Sequence, residues 1–215
     1  MVSIIITSPQ KDEKYLARAL SSCVLQSVEH QVILVFTGTN LSAETRGAID
    51  ASNARLYRLK DDPGHAQCRN IAIGLSVYDN YVFLDADDYF YPDAVTDLYN
   101  NIGDADVICG NMTCDNKVIV PPGIRNGATR ELFMNTNPVF ISSLFTIDAF
   151  YNAGGMDADV FLDDYRLWIK MFLSGAKFSY LDRTVFYHFI RPDSITQKHK
   201  ERNEEFIKKA KEGLL

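Results

Sequence analysis

The sequence predicts an α/β fold with a mostly parallel central sheet flanked by helices. Three observations carry that prediction. Short β-branched or apolar runs alternate with helix-period segments through the first half of the chain, the pattern of successive βαβ units. Polar clusters follow these runs directly, at residues 7–10, 37–39 and 85–88. In such sheets the ligand crevice lies beyond the carboxyl ends of the strands, so the clusters should converge on one edge. The alternation then breaks down after residue 110, where turn-forming residues crowd together.

Residues 2–7 (VSIIIT) are a β-branched run with a polar exit and read as a buried strand. Over residues 12–27, Leu16, Ala19, Leu20, Cys23 and Val24 recur at three- and four-residue steps, which marks one face of a helix. Residues 32–36 make a second strand, ending in the turn Thr37-Gly38-Thr39-Asn40. A weaker helix at 42–51 and a short strand at 55–59 come next. Ala66, Ile71, Ile73 and Leu75 set a helix over 66–76. Residues 81–84 form a fourth strand, and Pro92 suits the first turn of a helix through Val95 and Leu98. Residues 106–109 read as a fifth strand. From 111 to 137, Pro121, Pro122, Gly123, Asn126 and Gly127 mark a hairpin or loop covering the site, with Asn111, Asn137 and Ser142 as candidate polar contacts there. Helices return at 147–153 and 163–174, separated by a Gly154-Gly155 stop. Residues 178–181 and 185–189 read as two strands. The stretch 198–211 carries six basic and three acidic residues and reads as a solvated helix docked by Phe206 and Ile207.

The chain has 215 residues, 47% of them apolar and 23% charged, which excludes disorder, collagen-like repeats and a disulfide scaffold. No internal repeat or long linker divides it, so residues 1–196 read as one domain with a helical tail at 197–215. Twenty-two basic and 28 acidic residues give −6, without the broad basic footprint of a nucleic-acid binder. Residues 2–7 are too short for a signal-peptide core and follow no basic residue. No stretch approaches the roughly 18 apolar residues of a membrane span. Cys23, Cys68, Cys109 and Cys114 form no CxxC pair. They read as reduced, mostly buried thiols of a cytoplasmic protein rather than a zinc site or disulfides.

The segment Tyr81-Val82-Phe83-Leu84-Asp85-Ala86-Asp87-Asp88 puts three carboxylates within four residues at a strand exit. Carboxylates so close repel one another unless something positive compensates. Mg²⁺ and Mn²⁺ prefer oxygen ligands and would stabilise a departing phosphate or diphosphate. The competing reading is a turn whose acids cap the following helix. Asp163 and Asp164 carry the same ambiguity at the start of their helix, as caps and dipole complements or as chemistry.

At these residues the chain resembles the family-2 glycosyltransferases, of the A-type (GT-A) nucleotide-sugar-binding fold, over residues 2–196. Residues 2–7 match the family's opening strand. Tyr15-Leu16, Ala19-Leu20 and Val24-Leu25-Gln26 match its first helix. Gly64-His65-Ala66-Gln67-Cys68-Arg69-Asn70 matches "G...ARN", and residues 81–88 match "Y..FLDADD". Gly154-Gly155-Met156-Asp157 matches "GGFD", and Asp163-Asp164-Tyr165-Arg166-Leu167-Trp168 matches "EDYDLW". The resemblance implies a Rossmann-like, mostly parallel sheet with a small antiparallel extension on the acceptor side. Residues 1–110 would hold the nucleotide-sugar and residues 111–196 the acceptor and catalytic groups.

The same resemblance implies Asp87 as the metal-binding acid, Asp88 as its supporting neighbour, and Asp85 on the sugar-nucleotide with a share in a Mn²⁺ or Mg²⁺ site. Arg69 would contact the nucleotide or order the acidic loop. Asp164 would be the general base that takes the acceptor hydroxyl proton, with Asp163 in place of the usual Glu beside it. Tyr165 and Trp168 would shape its pocket. The implied reaction is direct, inverting transfer from a nucleotide-sugar, UDP-sugars favoured, to a hydroxyl acceptor.

Two segments depart from the family. Its "VVDDGSTD" turn is here Leu34-Val35-Phe36-Thr37-Gly38-Thr39-Asn40, and its "PTYN" is Thr7-Ser8-Pro9-Gln10. Thr7, Pro9 and Thr37 therefore replace the acids and aromatic at the base, with Asp61 and Asp62 as possible substitutes. A catalytically weak or inactive member that binds a ligand or partner is the alternative these changes support. A nucleotidyltransferase would want a glycine-rich loop after the first strand, and residues 7–11 hold no glycine. In Tyr187-His188-Phe189-Ile190-Arg191-Pro192-Asp193-Ser194, aligned on Ser194, Arg191 takes the place of a family metal-binding His. Its fork suits a diphosphate oxygen. On an extended strand residues 188 and 191 face opposite sides, so His188 reads as a packed strand residue and His65 as a loop residue. Five acids around one site, Asp85, Asp87, Asp88, Asp163 and Asp164, leave 22 basic against 23 acidic residues elsewhere, a nearly neutral body. The basic tail then lies against an acidic face or touches an anionic membrane surface.

Overall fold

A computed structural model describes residues 1–158, 160–191 and 203–214. Its strands are β1 (Val2–Pro9), β2 (His30–Thr37), β3 (Arg55–Leu59), β4 (Asn80–Asp85), β5 (Tyr89–Phe90), β6 (Val107–Cys114), β7 (Lys117–Ile119), β8 (Leu144–Thr146) and β9 (Phe178–Tyr187). The α-helices are α1 (Glu13–Cys23), α2 (Ala43–Ala51), α3 (His65–Gly74), α4 (Ala94–Asn101), α5 (Arg130–Asn135), α6 (Ile147–Asn152), α7 (Asp163–Leu173) and α8 (Asn203–Lys211).

One sheet runs in the order β3-β2-β1-β4-β8-β6-β9-β5, with β7 on β6. It is parallel across β3, β2, β1 and β4, as the βαβ alternation predicts. Beyond β4 it is mixed: β8 runs antiparallel to β4 and β6, while β6 and β9 are parallel. Residues 111–137 hold the expected hairpin, β6 to β7, and a short helix, α5, that no periodicity announced. The two strands expected at 178–181 and 185–189 are one, β9, whose pairing with β6 slips near Asn111. The exposed Asp182 and Arg183 that seemed to divide them lie on it without ending it.

Burial explains the parallel half. Ile4, Ile5 and Ile6 of β1 are at most 1% exposed, because helices cover both faces of the sheet. Each such side chain contributes about 1.5–3 kcal/mol on burial. On one face lie Leu16, Ala19, Leu20 and Cys23 of α1, all wholly buried; on the other lie α3, α6 and α7. Phe206, Ile207 and Ala210 of α8 reach the core, and Arg166 of α7 donates to the Ala210 and Glu212 carbonyls. The docking expected of Phe206 and Ile207 is therefore found. The start of that basic stretch, 198–202, lies outside the described residues.

Candidate active site

Strand register brings the polar exits together. Pro9 of β1 lies opposite Thr37 of β2, and Thr7 opposite Asp85 of β4. Thr7, Ser8, Pro9 and Thr37 line one crevice with Asp62, His65 and Cys68. The Thr7 hydroxyl is 3.4 Å from His65 Nδ1, so His65 belongs to the site and is more than a loop residue. The Thr37 hydroxyl is buried and has no partner among the described residues, a polar group with its hydrogen-bonding capacity unspent.

Two sequence motifs dock on each other to build the catalytic side. Asn70 of α3 donates to the Met156 carbonyl (2.9 Å) and accepts from the Met156 N–H (3.0 Å). Gly155 takes φ +71, and a Cβ there would stand 3.3 Å from the Asn70 side chain, so the turn wants glycine. Asp157 then pairs with Arg166 and with Lys170 (2.6 Å), which fixes α7 against this turn. Arg69, one residue before Asn70 and 4% exposed, spans the cleft. It pairs with Asp85 at 2.6 Å and with Asp163 at 3.1 Å. Burial pushes the Asp85 carboxyl up, but Arg69 and His65 outweigh it and hold it below the usual carboxylate range.

Asp163 also accepts the Asp164 N–H at 2.8 Å, in the first turn of α7, where the helix dipole favours negative charge. Neither acid is the N-cap; that position is Leu162, and it has no side-chain hydrogen bond. Asp164 accepts from Asn137 Nδ2 at 3.2 Å. Burial, and then the charge of Asp163, push the Asp164 carboxyl up to about 6. A carboxylate titrating there is suited to take a proton near neutrality. Tyr165 and Trp168 do not shape a pocket around it. They are buried, Tyr165 donating to the Phe133 carbonyl and Trp168 packed 5.8 Å from the Phe145 ring. Of the other acceptor candidates, Asn111 is tied to Asp182 (2.9 Å) and Tyr180 (2.8 Å), while the buried Ser142 hydroxyl has no partner among the described residues.

The acidic turn departs most from expectation. Asp88 is wholly buried; it accepts from the Phe189 N–H (2.9 Å) and pairs with His188 Nδ1 (3.1 Å). That hydrogen bond, against the cost of burial and with help from the surrounding acids, lifts His188 to about 9. Asp87 pairs with Arg191 Nε at 2.7 Å, and the Asp87 carbonyl accepts from Arg18. Burial and the charges of Asp85 and Asp88 push the Asp87 carboxyl up to about 6, against the pull of Arg191. Asp85, Asp87 and Asp88 are thus each taken by a different cation. Among the described residues no three His, Cys, Asp or Glu side chains gather as metal ligands. The donor set, so committed, does not fit Mn²⁺ or Mg²⁺.

His188 and Arg191 both reach this turn, contrary to the alternation expected of a strand. The reason is local: β9 ends at Tyr187, so the two-residue period of a strand no longer governs residues 188–191. Arg191 also pairs with Asp12 at 2.6 Å and sits 5.0 Å from the Tyr15 ring. Asp12 and Arg18 were not among the candidate residues. Only the bare presence of polar side chains near a buried first helix could have drawn attention to them.

Comparison with known proteins shows the family and the fold. The glycosyl transferase family 2 model matches residues 3–150. The succinoglycan biosynthesis protein ExoU of Rhizobium meliloti is 23% identical over 91% of this chain and 64% of its own. The poly(ribitol-phosphate) β-N-acetylglucosaminyltransferase TarP of Staphylococcus aureus is 30% identical over 54% of this chain and 38% of its own. The chain thus spans less than two thirds of either relative. Among solved structures, S. aureus TarS 1–349 in complex with UDP-GlcNAc superposes with TM-score 0.73 at 18% identity, over 90% of this chain and 59% of that one. A mannosyltransferase from Pyrobaculum calidifontis, in complex with GDP-Man and Mn²⁺, gives 0.68 at 16% identity, over 94% and 60%. These likenesses show that the fold is shared. Among the described residues no helix is long and apolar enough to cross a membrane, and all four cysteines are free, three of them buried.

Proposed function

The chain belongs to glycosyl transferase family 2, and from that membership we propose that it transfers a sugar, with inversion, from a nucleotide-sugar to a hydroxyl acceptor. The observation that carries the proposal is Asp164: a carboxylate held near pKa 6, with Asn137 as its polar partner, next to Asp163, which Arg69 ties to Asp85. A sugar hydroxyl is a weak nucleophile until its proton is taken as the new bond forms, and Asp164 is the base for that step. Asp163 positions it by accepting its N–H and holding Arg69.

In this reading residues 1–110 hold the donor. Thr7, Pro9 and Thr37 meet the base, where the Thr37 hydroxyl, without a partner among the described residues, offers both a donor and an acceptor. Asp85, anchored by Arg69, faces the ribose, and residues 111–196 carry the acceptor side. A UDP-sugar is the favoured donor, since TarS binds UDP-GlcNAc. A cytoplasmic setting accords with the free thiols. The Mn²⁺ or Mg²⁺ implied by the family resemblance has no part in this scheme, because the acids that would hold it are committed to Arg69, Arg191 and His188.

The altered Phe36-Thr37 turn favours one other reading, a family member that binds its ligand and does not turn it over. A panel of UDP-, GDP-, CMP- and TDP-sugars separates the two by thermal shift and by release of nucleoside diphosphate. Stabilisation by one donor with release supports transfer. Stabilisation without release, across a range of sugar and lipid-linked acceptors, supports the binding protein.

A further inference from the structure

The acidic turn holds a cation already, and it is a side chain. Arg191 is 8% exposed and lies between Asp12, at the N-cap of α1, and Asp87. Its Nη1 is 2.6 Å from Asp12 Oδ1 and its Nε 2.7 Å from Asp87 Oδ2, with the Tyr15 ring 5.0 Å from its central carbon. Asp12 and Tyr15, from the start of the chain, thus help hold one guanidinium at Asp87, the acid from which a metal site would be built. A divalent ion ligated by Asp87 would have to displace this charge or sit beside it, and like charges in a partly buried site oppose each other strongly. The neighbouring acids offer no relief. Asp88 is wholly buried with its oxygens on His188 and the Phe189 N–H, and Asp85 is bound by Arg69.

We propose that Arg191 takes the place of the divalent cation: its guanidinium meets the donor diphosphate, and the chain binds and cleaves its donor without a metal ion. This rests on the nucleotide-sugar reading above. A guanidinium carries five N–H donors in a planar fork that matches phosphate oxygens, and its charge is permanent. In the transfer step the bond between the anomeric carbon and the diphosphate oxygen breaks, and its electron pair leaves with the diphosphate. The acceptor oxygen bonds to the anomeric carbon, and its proton passes to Asp164. The negative charge that grows on the diphosphate is the charge a fixed donor beside it stabilises. Asp12 and Asp87 keep that donor in position; they bind no ion.

Nucleotide binding by the whole chain tests this without requiring the acceptor. UDP and GDP are titrated by calorimetry in EDTA and again in Mn²⁺ or Mg²⁺, and MnCl₂ alone is titrated with the free-ion spin-resonance signal as readout. The expected result is an affinity for one nucleotide that agrees within about twofold in EDTA and in metal, with no uptake of Mn²⁺ by the protein. Arg191→Ala should weaken that binding by about tenfold or more, the worth of one charge-assisted hydrogen bond. Should Arg191→Ala fail to fold, as judged by circular dichroism, Arg191→Lys keeps the charge without the fork and is expected to lose a smaller, measurable part of the affinity. Nucleotide binding that vanishes in EDTA and returns with Mn²⁺, or stoichiometric Mn²⁺ uptake, overturns the inference and leaves the transferase reading intact. Absence of nucleotide binding in every buffer overturns both.

Discussion

At the acidic turn three carboxylates meet three cations; at the start of α7 only one of two carboxylates pairs with a cation, and that cation also serves the turn. Asp85 has Arg69, Asp87 has Arg191 and Asp88 has His188. Asp163 takes the other side of Arg69, and Asp164 has an amide, Asn137, and no ion pair among the described residues. The consequence is seen in Asp85 and Asp164. Arg69 carries the first below the usual carboxylate range, while burial beside Asp163 carries the second to about 6. Clustered aspartates therefore serve two ends in this molecule. In the function proposed above, the first cluster faces the donor's phosphates with each acid paired to a cation, and the second leaves Asp164 without an ion pair among the described residues and able to take a proton.

The largest effect expected from that contrast lies at its uncompensated member. Asp164→Asn removes the base and keeps the shape, so transfer should fall by about 10²–10⁴-fold while donor binding stays within a few-fold. Equal losses in both, measured by steady-state kinetics and calorimetry, would place Asp164 in donor binding instead. Next comes the shared cation. Arg69→Gln strands Asp85 and Asp163 in a partly buried site, and breaking such pairs costs about 3–5 kcal/mol, read as a lower urea midpoint. A loss below about 1 kcal/mol would mean that the two acids find other partners.

A smaller effect is expected at Asn137. Its hydrogen bond lowers the Asp164 pKa, so Asn137→Ala should move the acid limb of the transfer rate upward from near pH 6. An unmoved limb would detach Asn137 from the base. Smallest is the effect at His188. Its folded pKa of about 9 lies above the unbound value of 6.5, so its pairing with Asp88 stabilises the fold fully below about pH 6.5. That stabilisation is lost as pH rises through about 9. The melting temperature should fall over that window, and Asp88→Asn should flatten the fall. An unchanged slope in the variant would assign it to other groups.

The parallel half of the sheet was legible because helices bury it on both faces, and that leaves continuous β-branched runs such as VSIIIT. The order of polar exits came from the same alternation. The short elements β5, β8 and α5 were not legible: two to six residues carry too little period to read, and their pairing partners are remote in sequence. The five clustered acids, Arg69 and Arg191 could be named from the sequence, but which acid each cation meets could not, nor that Asp12 joins them. Arg69 reaches Asp163 across 94 residues and Arg191 reaches Asp12 across 179, separations that no local pattern encodes. His188 was set aside on strand geometry because the end of β9 at Tyr187 is not marked in Val185-Phe186-Tyr187-His188-Phe189.

Asp85 and Asp164, on either side of Arg69, differ above all in protonation, and carboxyl ¹³C NMR of aspartate-labelled protein measures that difference directly. With Asp164 assigned by the Asp164→Asn variant, its signal is predicted to titrate near pH 6 while that of Asp85 titrates below the ordinary aspartate value of 3.8. An Asp164 signal that titrates at or below 3.8 would contradict the distinction, since an acid so strong has been compensated as Asp85 is.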